Sequence, residues 1–247
     1  MNKQSGNILL FILIAILLIG LLTLSLTRSS NTTNETGDFE QSAIIASQIM
    51  RYAKTMEDSV TQLLARGCSE NDINFENDIV AGYTNTFPSA PTTNECHIFE
   101  DEGIGQAFEI PKTSWLDTSF SADANYGEYH FPRGTCIYGV GDFYDLSGNG
   151  NCDINPVLNE ELLITLPYLK QNICEALNRL AGNNFATIPA ETDSTLDPNK
   201  FIGSYSGSSE VGNNADLYGV ATGCLQQAPT GSYPDNAYIF YHVLHVR

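Results

Sequence analysis

The stretch ILLFILIAILLIGLLTLSL, residues Ile8 to Leu26, decides how this chain is organised. It contains no charged side chain, and only Thr23 and Ser25 carry hydroxyl groups. A helix rises about 1.5 Å per residue, so a run of this length just spans a hydrocarbon core of about 30 Å. The sequence therefore predicts a membrane-spanning helix over residues 7–28, with the remainder of the chain outside the bilayer.

The flanks of the apolar run predict its orientation. Lys3 and Arg28 are the only charged residues before residue 29, and Lys3 with the N-terminal amine favours a cytoplasmic N-terminus. The alternative is a cleaved secretory signal, but the apolar region of such signals is roughly 7–15 residues long and ends in a small-x-small site. We therefore expect a retained anchor in the inner membrane, with the lipid bilayer as a partner and the C-terminal domain periplasmic or extracellular.

The composition and charge exclude further classes of protein. Of the 247 residues, 42% are hydrophobic, which is enough for a packed core. The chain carries 11 basic and 29 acidic residues, a formal net charge of −18. Nucleic-acid binding needs a basic face, and binding to an anionic membrane surface needs basic clusters. We therefore expect no nucleic acid among the partners.

All six cysteines follow the apolar run. An even number of cysteines in an exported segment indicates three disulfides, although six cysteines allow fifteen pairings. The spacings contain no C-x-x-C, so a zinc ribbon or a thioredoxin-type site is not expected. Among the possible pairings we favour the sequential one, Cys68–Cys96, Cys136–Cys152 and Cys174–Cys224. The last of these bonds would tie a helix to the C-terminal sheet.

Helical and strand patterns alternate along the rest of the chain. Residues 29–38, SSNTTNETGD, predict a polar linker or a break in a helix. Residues 39–66 carry apolar side chains at helical spacing, namely Ile45, Ile49, Tyr52, Met56, Val60 and Leu63. A second helical stripe covers residues 160–180, with a kink or restart at Pro167. Strands are expected at 96–99, 106–110, 128–140, 201–205, 217–222 and, most strongly, 238–246.

This order of elements predicts the fold class. A membrane helix is followed by an amphipathic helix, then by strands, a further helix and more strands. Helices laid on one side of a mainly antiparallel sheet form an α+β domain. We therefore predict a disulfide-bonded α+β domain over residues 39–247.

The N-terminus resembles the type IV pilins and the pseudopilins of type II secretion. These proteins begin with a short basic leader that ends in glycine, and an apolar helix then continues into an amphipathic helix packed on an antiparallel sheet. Met1 to Gly6 corresponds to the leader, and Asn7, in place of the usual Phe or Met, would become the first residue after processing. The usual glutamate five positions after the glycine is Phe11 here, a loss that is also seen in the large tip pseudopilin.

The resemblance covers about the first 67 residues and implies a function. It favours a non-enzymatic minor pilin or pseudopilin-type subunit of a bacterial envelope filament or secretion apparatus. Other pilin-like subunits or envelope proteins would be its partners. The alternative is a membrane-tethered periplasmic binding or scaffolding module that does not assemble into a filament.

The loop GDFYDLSGNGNCD, residues 141–153, contains the best candidate metal ligands. Oxygen-bearing side chains fall at positions one, three, five and nine of a calcium-binding EF-hand loop, namely Asp145, Ser147, Asn149 and Asp153. Position twelve, normally a bidentate glutamate, is Pro156, and Glu160 or Glu161 replaces it only if the chain folds back. The alternative is a solvated loop in which Asn and Gly form turns. We expect no resident cofactor, with calcium at this loop as the alternative that tip pseudopilins also suggest by analogy.

Motifs of known catalytic sites are missing from the sequence. It contains no G-x-S-x-G, H-E-x-x-H, P-loop or G-x-G-x-x-G. His242 and His245 lie three positions apart, so on a strand they point to opposite faces and do not share a metal. We therefore expect a protein that is not an enzyme, and a tethered hydrolase without a recognisable motif is the third interpretation.

Overall fold

The structure, a computed structural model, describes residues 6–141, 152, 160–191, 196–205, 209–212, 216–227, 229 and 232–247. Within the first helix it describes the side chains of residues 12–19 and 38–65. The described residues form an α+β fold, as predicted, with two α-helices, six strands and three short 3-10 turns. The chain divides into two units, residues 1–42 and residues 43–247; the second unit is called the head below.

Helix α1 extends from Gly6 to Ala65. The helix continues through residues 29–38, where the polar composition predicts a linker. That stretch contains no proline, and its Ser, Thr and Asn residues each cost a helix only roughly 0.5 kcal/mol relative to alanine. Helical turns on both sides are therefore able to continue through it.

The end of α1 follows from the glycine that comes after it. Gly67 has a φ of +102°, a left-handed conformation that is easy only for glycine. This conformation lets the Gly67 N–H donate to the Leu64 carbonyl at 3.1 Å and the Cys68 N–H donate to the Leu63 carbonyl at 3.2 Å. These two bonds form a Schellman motif, and α1 ends within one residue of the stretch 39–66 that has helical spacing.

The membrane-spanning helix stays a prediction from the sequence. Within the part of the chain that the structure describes, no helix combines the length and the apolarity that a membrane span requires. Only the side chains of residues 12–19 are described in the run from Ile8 to Leu26.

A four-stranded mixed sheet forms the centre of the head. Its strands lie in the order β2–β6–β5–β3. Strand β6 is antiparallel to both β2 and β5, whereas β3 is parallel to β5, so the sheet is mixed rather than only antiparallel. A separate parallel pair joins β1 to β4. The strand bounds are Cys136–Ile137 (β1), Leu162–Leu169 (β2), Ala190–Glu191 (β3), Glu210–Val211 (β4), Thr222–Gln227 (β5) and Tyr238–His245 (β6).

The helix predicted over residues 160–180 is wrong in its first half. That half is strand β2, and helix α2 begins only at Gln171 and ends at Leu180. All eight residues of β2 are buried, so both faces of the strand are apolar and the polar alternation typical of a strand is lost. Pro167 lies where the pairing with β6 shifts its register, between Leu166 and Leu169, because proline has no N–H to donate to a ladder.

Several predicted short strands are loops or single bridges instead. Residues 94–96 form a 3-10 turn, and one bridge joins His97 to Asn74. Residues 128–140 contribute isolated bridges and the two residues of β1. Residues 106–110 and 201–205 contain no strand, and of residues 217–222 only Thr222 belongs to β5. Some aromatic and β-branched residues of these segments, such as Ile98, Phe131 and Phe201, are buried without a ladder, whereas Ile110 and Tyr218 are exposed. The prediction for residues 238–246 is confirmed by β6.

Two apolar clusters lie on opposite faces of the sheet. Because side chains alternate along a strand, Phe240 and Leu244 of β6 join one cluster and Ile239, Tyr241 and Val243 join the other. The first cluster also contains the buried side chains of α1 and α2. The second is covered mainly by loop residues. The two helices of the head therefore share one face of the sheet.

Three disulfides fasten the head. They join Cys68 to Cys96, Cys136 to Cys152, and Cys174 to Cys224, with Cα–Cα distances of 5.9, 5.7 and 5.4 Å. This is the sequential pairing that the sequence favours. The third bond links α2 to β5, as expected for a bond between a helix and the C-terminal sheet.

Candidate functional site

The first candidate site is the apolar segment of α1, residues 12–19. All eight side chains in this segment are apolar, and all eight are exposed. The seven large ones retain between 44% and 67% of their accessible surface. Successive residues of a helix are rotated by about 100°, so eight residues surround the helix completely. A helix that is apolar all round is found in a bilayer or inside a bundle of other helices, and it is not typical of a surface facing water.

The C-terminal part of the same helix has a different surface. Five of the six predicted stripe positions in residues 39–66 are buried, and Ile45 is half-buried. Ala46 and Ala53 are buried on the same side. These residues belong to the core cluster that contains β2, β5 and β6. One stripe of α1 therefore holds the helix in the head, while residues on the opposite side, such as Ile44 and Arg51, stay exposed.

A polar cluster ties α1 to the sheet at the edge of this core. The imidazole of His242 in β6 lies between Glu57 of α1, at 2.8 Å from Nε2 to Oε2, and Thr222 of β5, at 2.6 Å from Nδ1 to Oγ1. Because a carboxylate only accepts, Nε2 carries the proton that is donated to Glu57, and the neutral ring accepts from the Thr222 hydroxyl at Nδ1. Lys54 donates to the other oxygen of Glu57.

The electrostatics of this cluster favour a neutral imidazole beside a carboxylate. Burial lowers the pKa of His242 and outweighs the opposing effect of its hydrogen bond to Glu57. Burial alone would raise the pKa of Glu57, but the hydrogen bonds from Lys54 and His242 lower it below its usual range. A carboxylate, an imidazole and a hydroxyl that are hydrogen-bonded in this order can transfer a proton from one group to the next. The hydroxyl here belongs to a residue directly opposite His242 in the sheet ladder, so we interpret the cluster as a polar tie between strands and helix.

A second group of titratable side chains lies where β2 begins. Glu160 and Glu161 are fully buried, and a Cβ at Gly134 would collide with the carboxylate of Glu160. Burial raises the pKa of Glu161 to about 8, although the Ile137 N–H donates to its carboxylate at 2.7 Å. Such strongly shifted groups cluster at functional sites, but also in structural networks.

The last residues of the chain lie beside these carboxylates. The guanidinium of Arg247 donates to Glu70 at 2.9 Å and stacks over the ring of Tyr205, with 4.0 Å from Cζ to the ring centroid. Burial raises the pKa of the Tyr205 hydroxyl, and Glu70 raises it further. His245 lies 3.8 Å from Glu70. His242 and His245 therefore face different carboxylates.

The predicted calcium ligands lie outside the described residues. Asp145, Ser147, Asn149 and Asp153 are not among the residues that the structure describes. Among the described residues, no three His, Cys, Asp or Glu side chains come together in a way that could hold a metal ion. Calcium binding thus stays a prediction from the sequence.

The predicted processing site lies at the beginning of α1. Gly6 is the first residue of the helix and Asn7 is the second. Phe11, at the position of the family glutamate, belongs to the same helix. Cleavage after Gly6 stays a prediction.

Sequence reasoning did not identify Glu57 or Thr222 as residues of interest, and it considered Glu161 only as a replacement for a missing calcium ligand. Glu57 lies on the polar flank of a helical stripe and looks like an ordinary solvated acid. Thr222 and His242 are 20 positions apart and meet only through the pairing of β5 with β6. Glu161 precedes a run of apolar residues that ends in Leu169, and an acid beside such a run is a weak signal for burial. The pairing of distant strands, which a local pattern does not reveal, brings these groups together.

Comparison with known proteins adds no family to this description. The chain matches no protein-family model, no curated protein and no solved structure. Any statement about function therefore rests on the geometry of α1 and the head, and on the likeness of the N-terminal sequence to pilins.

Proposed function

We propose that this protein is a membrane-anchored, non-enzymatic pilin-like subunit, of the minor pilin or pseudopilin type, in a bacterial envelope filament or secretion apparatus. Its anchor would lie in the inner membrane with a cytoplasmic N-terminus, and its head would be periplasmic or extracellular. The observation that carries the proposal is one helix, Gly6–Ala65, with an entirely apolar exposed segment near its beginning and a buried stripe near its end.

The apolar segment supports an environment of lipid or of other helices. Each fully buried Leu or Ile side chain contributes about 1.5–3 kcal/mol relative to exposure to water. Seven large apolar side chains are exposed in residues 12–19, so leaving them in water would be costly. A bilayer covers them in a single anchored chain, and neighbouring helices cover them in a filament. The same surface therefore suits both the stored and the assembled state of a pilin-like subunit.

The head supports an exported location. Three disulfides among six cysteines are typical of an oxidising compartment. No free cysteine remains among the described residues. The packing of α1 against a disulfide-bonded sheet also agrees with the architecture that the pilin resemblance implies.

Processing of the N-terminus tests the proposal directly. We would purify the full chain from the membranes of its own host and determine its N-terminal sequence and intact mass. The proposal expects a chain that begins at Asn7, because a prepilin peptidase would remove Met1 to Gly6. The variant Gly6→Ala should keep the leader, since the resemblance implies that cleavage requires glycine at this position, whereas Ser5→Ala should be processed normally.

The other outcomes distinguish the alternatives. A wild-type chain that begins at Met1 or Asn2 would contradict the pilin-like function and leave the membrane-tethered binding or scaffolding module. A chain that begins near Ser29 would contradict the anchor itself. Assembly is tested by a photo-crosslinking residue at Leu17, which should yield crosslinked copies of this chain in host membranes, while the same residue at the exposed Arg51 serves as the control.

A further inference from the structure

The disulfides of the head differ in how far solvent reaches them. The four cysteines that retain at most 1% of their accessible surface are Cys136, Cys152, Cys174 and Cys224. Cys68 is half-buried, and Cys68 and Cys96 both line a surface cleft of about 330 Å³ at the end of α1. Thiol–disulfide exchange requires a thiolate to reach one of the two sulfurs of the bond. Access therefore separates the Cys68–Cys96 bond from the two enclosed ones.

The segments that this bond joins are also held together by other contacts. The disulfide attaches the end of α1 to the 3-10 turn that contains Cys96. The Asn74 N–H donates to the Cys96 carbonyl at 3.1 Å, and the Ile98 N–H donates to the Asn74 carbonyl at 3.0 Å. The guanidinium of Arg66 donates to the Gly103 carbonyl at 2.6 Å. Reduction removes one covalent link and leaves these hydrogen bonds, so the two thiols stay near each other and can form the bond again.

The charges around the bond are mostly negative. Among the described residues, the charged ones that line the cleft are Arg66, Asp72, Glu95 and Glu102. The carboxylate of Asp72 accepts from the N–H of Ser69 at 3.0 Å, which fixes one negative charge beside Cys68. Charges interact over a Debye length of about 8 Å, whichever way an exposed side chain points. Three acids against one base therefore repel an anionic thiol and favour a thiol that lies beside positive charge.

We propose that the Cys68–Cys96 disulfide is a reversible exchange site for a dithiol reductant that carries positive charge beside its attacking thiol. The thiolate of the reductant attacks Sγ of Cys68, because Cys96 is only 3% exposed, and Cys96 leaves as a thiolate. The second thiol of the reductant then displaces Cys68 from the mixed disulfide. The two protons of the dithiol end on the two cysteines, and the reductant becomes a disulfide. The proposal goes beyond the proposed function and does not depend on N-terminal processing.

The test compares the three disulfides within one folded chain. The full chain, in an uncharged detergent at neutral pH, is incubated with dithiothreitol, and exchange is stopped with acid at successive times. Free thiols are then labelled and located by peptide mass spectrometry. We expect Cys68 and Cys96 to be labelled at least about tenfold faster than the other cysteines, because exchange at an enclosed bond waits for the fold to open.

Circular dichroism of the same samples tests whether the exchange is reversible. The far-UV spectrum should be unchanged when only Cys68 and Cys96 are reduced, and removal of the reductant in air should restore the bond. Equal rates at all three bonds, earlier labelling of an enclosed pair, or loss of helical signal together with the first pair would overturn the exchange site.

Two small thiols of opposite charge test the class of reductant. Cysteamine carries an ammonium group, and mercaptoethanesulfonate carries a sulfonate on the same short chain. Each rate is divided by the rate of the same thiol with hydroxyethyl disulfide, which is uncharged. Cysteamine should then react with the Cys68–Cys96 bond at least about threefold faster than mercaptoethanesulfonate. Equal corrected rates would overturn the preference for a positively charged reductant.

Charge variants assign this preference to the cleft. Glu95→Gln combined with Glu102→Gln leaves one acid and one base in the lining and should bring the ratio of the two rates close to one. Glu109→Gln removes an exposed acid whose N–H donates to Tyr52, about 20 Å along α1 from Arg66, and should keep the ratio. An unchanged ratio in the first variant, or an equal loss in Glu109→Gln, would show that the lining does not select the reductant.

Discussion

The apolar segment, residues 12–19, and the stripe of α1 inside the head belong to one helix but have opposite surfaces. In the segment every side chain is apolar and exposed. In the head, apolar residues recur three or four positions apart and are buried, while polar residues occupy the positions between them. The stripe packs in the core of the head, whereas the side chains of the segment are exposed. In the proposed function, lipid or neighbouring helices would cover the surface of the segment.

The head and the apolar segment also differ in what they contribute to stability. The head is held by its core, its polar ties and its disulfides. The side chains of residues 12–19 are exposed, and none of them belongs to either core cluster. Changes in the head should therefore affect folding, whereas changes in the segment should affect association with membranes or other subunits.

The largest effect is expected from the disulfide between α2 and β5. Removing it with Cys174→Ser and Cys224→Ser frees a loop closed over a sequence separation of 50, which should lower the free energy of unfolding by about 4 kcal/mol. Urea denaturation of the full chain in detergent measures this. Removal of Cys136–Cys152, with a separation of 16, should cost about 3 kcal/mol. Flotation with membranes should be unchanged in both variants, and a loss of flotation would mean that anchoring depends on the head.

Two alanine substitutions in α1, one in the buried stripe and one in the exposed segment, compare the two surfaces directly. Met56→Ala removes a fully buried side chain and should lower the free energy of unfolding of the head by about 3 kcal/mol. Ile16→Ala removes a side chain that is 67% exposed and should change that free energy by less than about 0.5 kcal/mol. Both changes in the free energy of unfolding are measured by urea denaturation of the full chain in detergent. If Ile16→Ala were as destabilising as Met56→Ala, the segment would be part of the folded core and the comparison would fail.

A smaller effect on stability is expected from a change in pH. It involves only the head, because residues 12–19 contain no titratable group. Burial raises the pKa of Glu161 from 4.5 to about 8, so the folded state binds a proton more tightly than the unfolded state. The stability from this proton is complete below about pH 4.5 and is lost as the pH rises towards 8. Between pH 6 and 7 the free energy of unfolding should fall by about 1.4 kcal/mol.

The matched variant for this prediction is Glu161→Gln. It keeps an oxygen that accepts from the Ile137 N–H but cannot titrate. In urea denaturation of this variant, the fall in the free energy of unfolding between pH 6 and 7 should be smaller by about 1.4 kcal/mol. Asp58→Asn, at an exposed acid of α1, serves as the control and should keep the decline. An unchanged slope in Glu161→Gln would show that Glu161 is ionised in the folded protein.

Local patterns predicted much of the fold but little of the candidate sites. The stripe from Ile45 to Leu63, the glycine end of α1 and strand β6 follow from spacing and propensity within one element. The same reasoning failed at β2, where Leu162, Leu163, Leu166 and Leu169 fit a helical spacing by coincidence. A strand buried on both faces carries no alternation, so only its pairing with β6 distinguishes it from a helix. The hydrogen bonds between Asn178 of α2 and Cys224 of β5 were also missed, because these residues lie 46 positions apart.

The sequence by itself determined the apolar run near the beginning, the amphipathic stripe that follows it, the excess of acids and the even number of cysteines. These are properties of neighbouring residues or of composition, and they hold in any conformation. Only the tertiary structure decided that residues 162–169 form a strand, that β3 joins the sheet in parallel, that Glu57 meets His242 and that Glu161 is buried with a raised pKa. Each of these depends on contacts between residues distant along the chain, whose free energy exceeds the weak local preferences that a sequence displays.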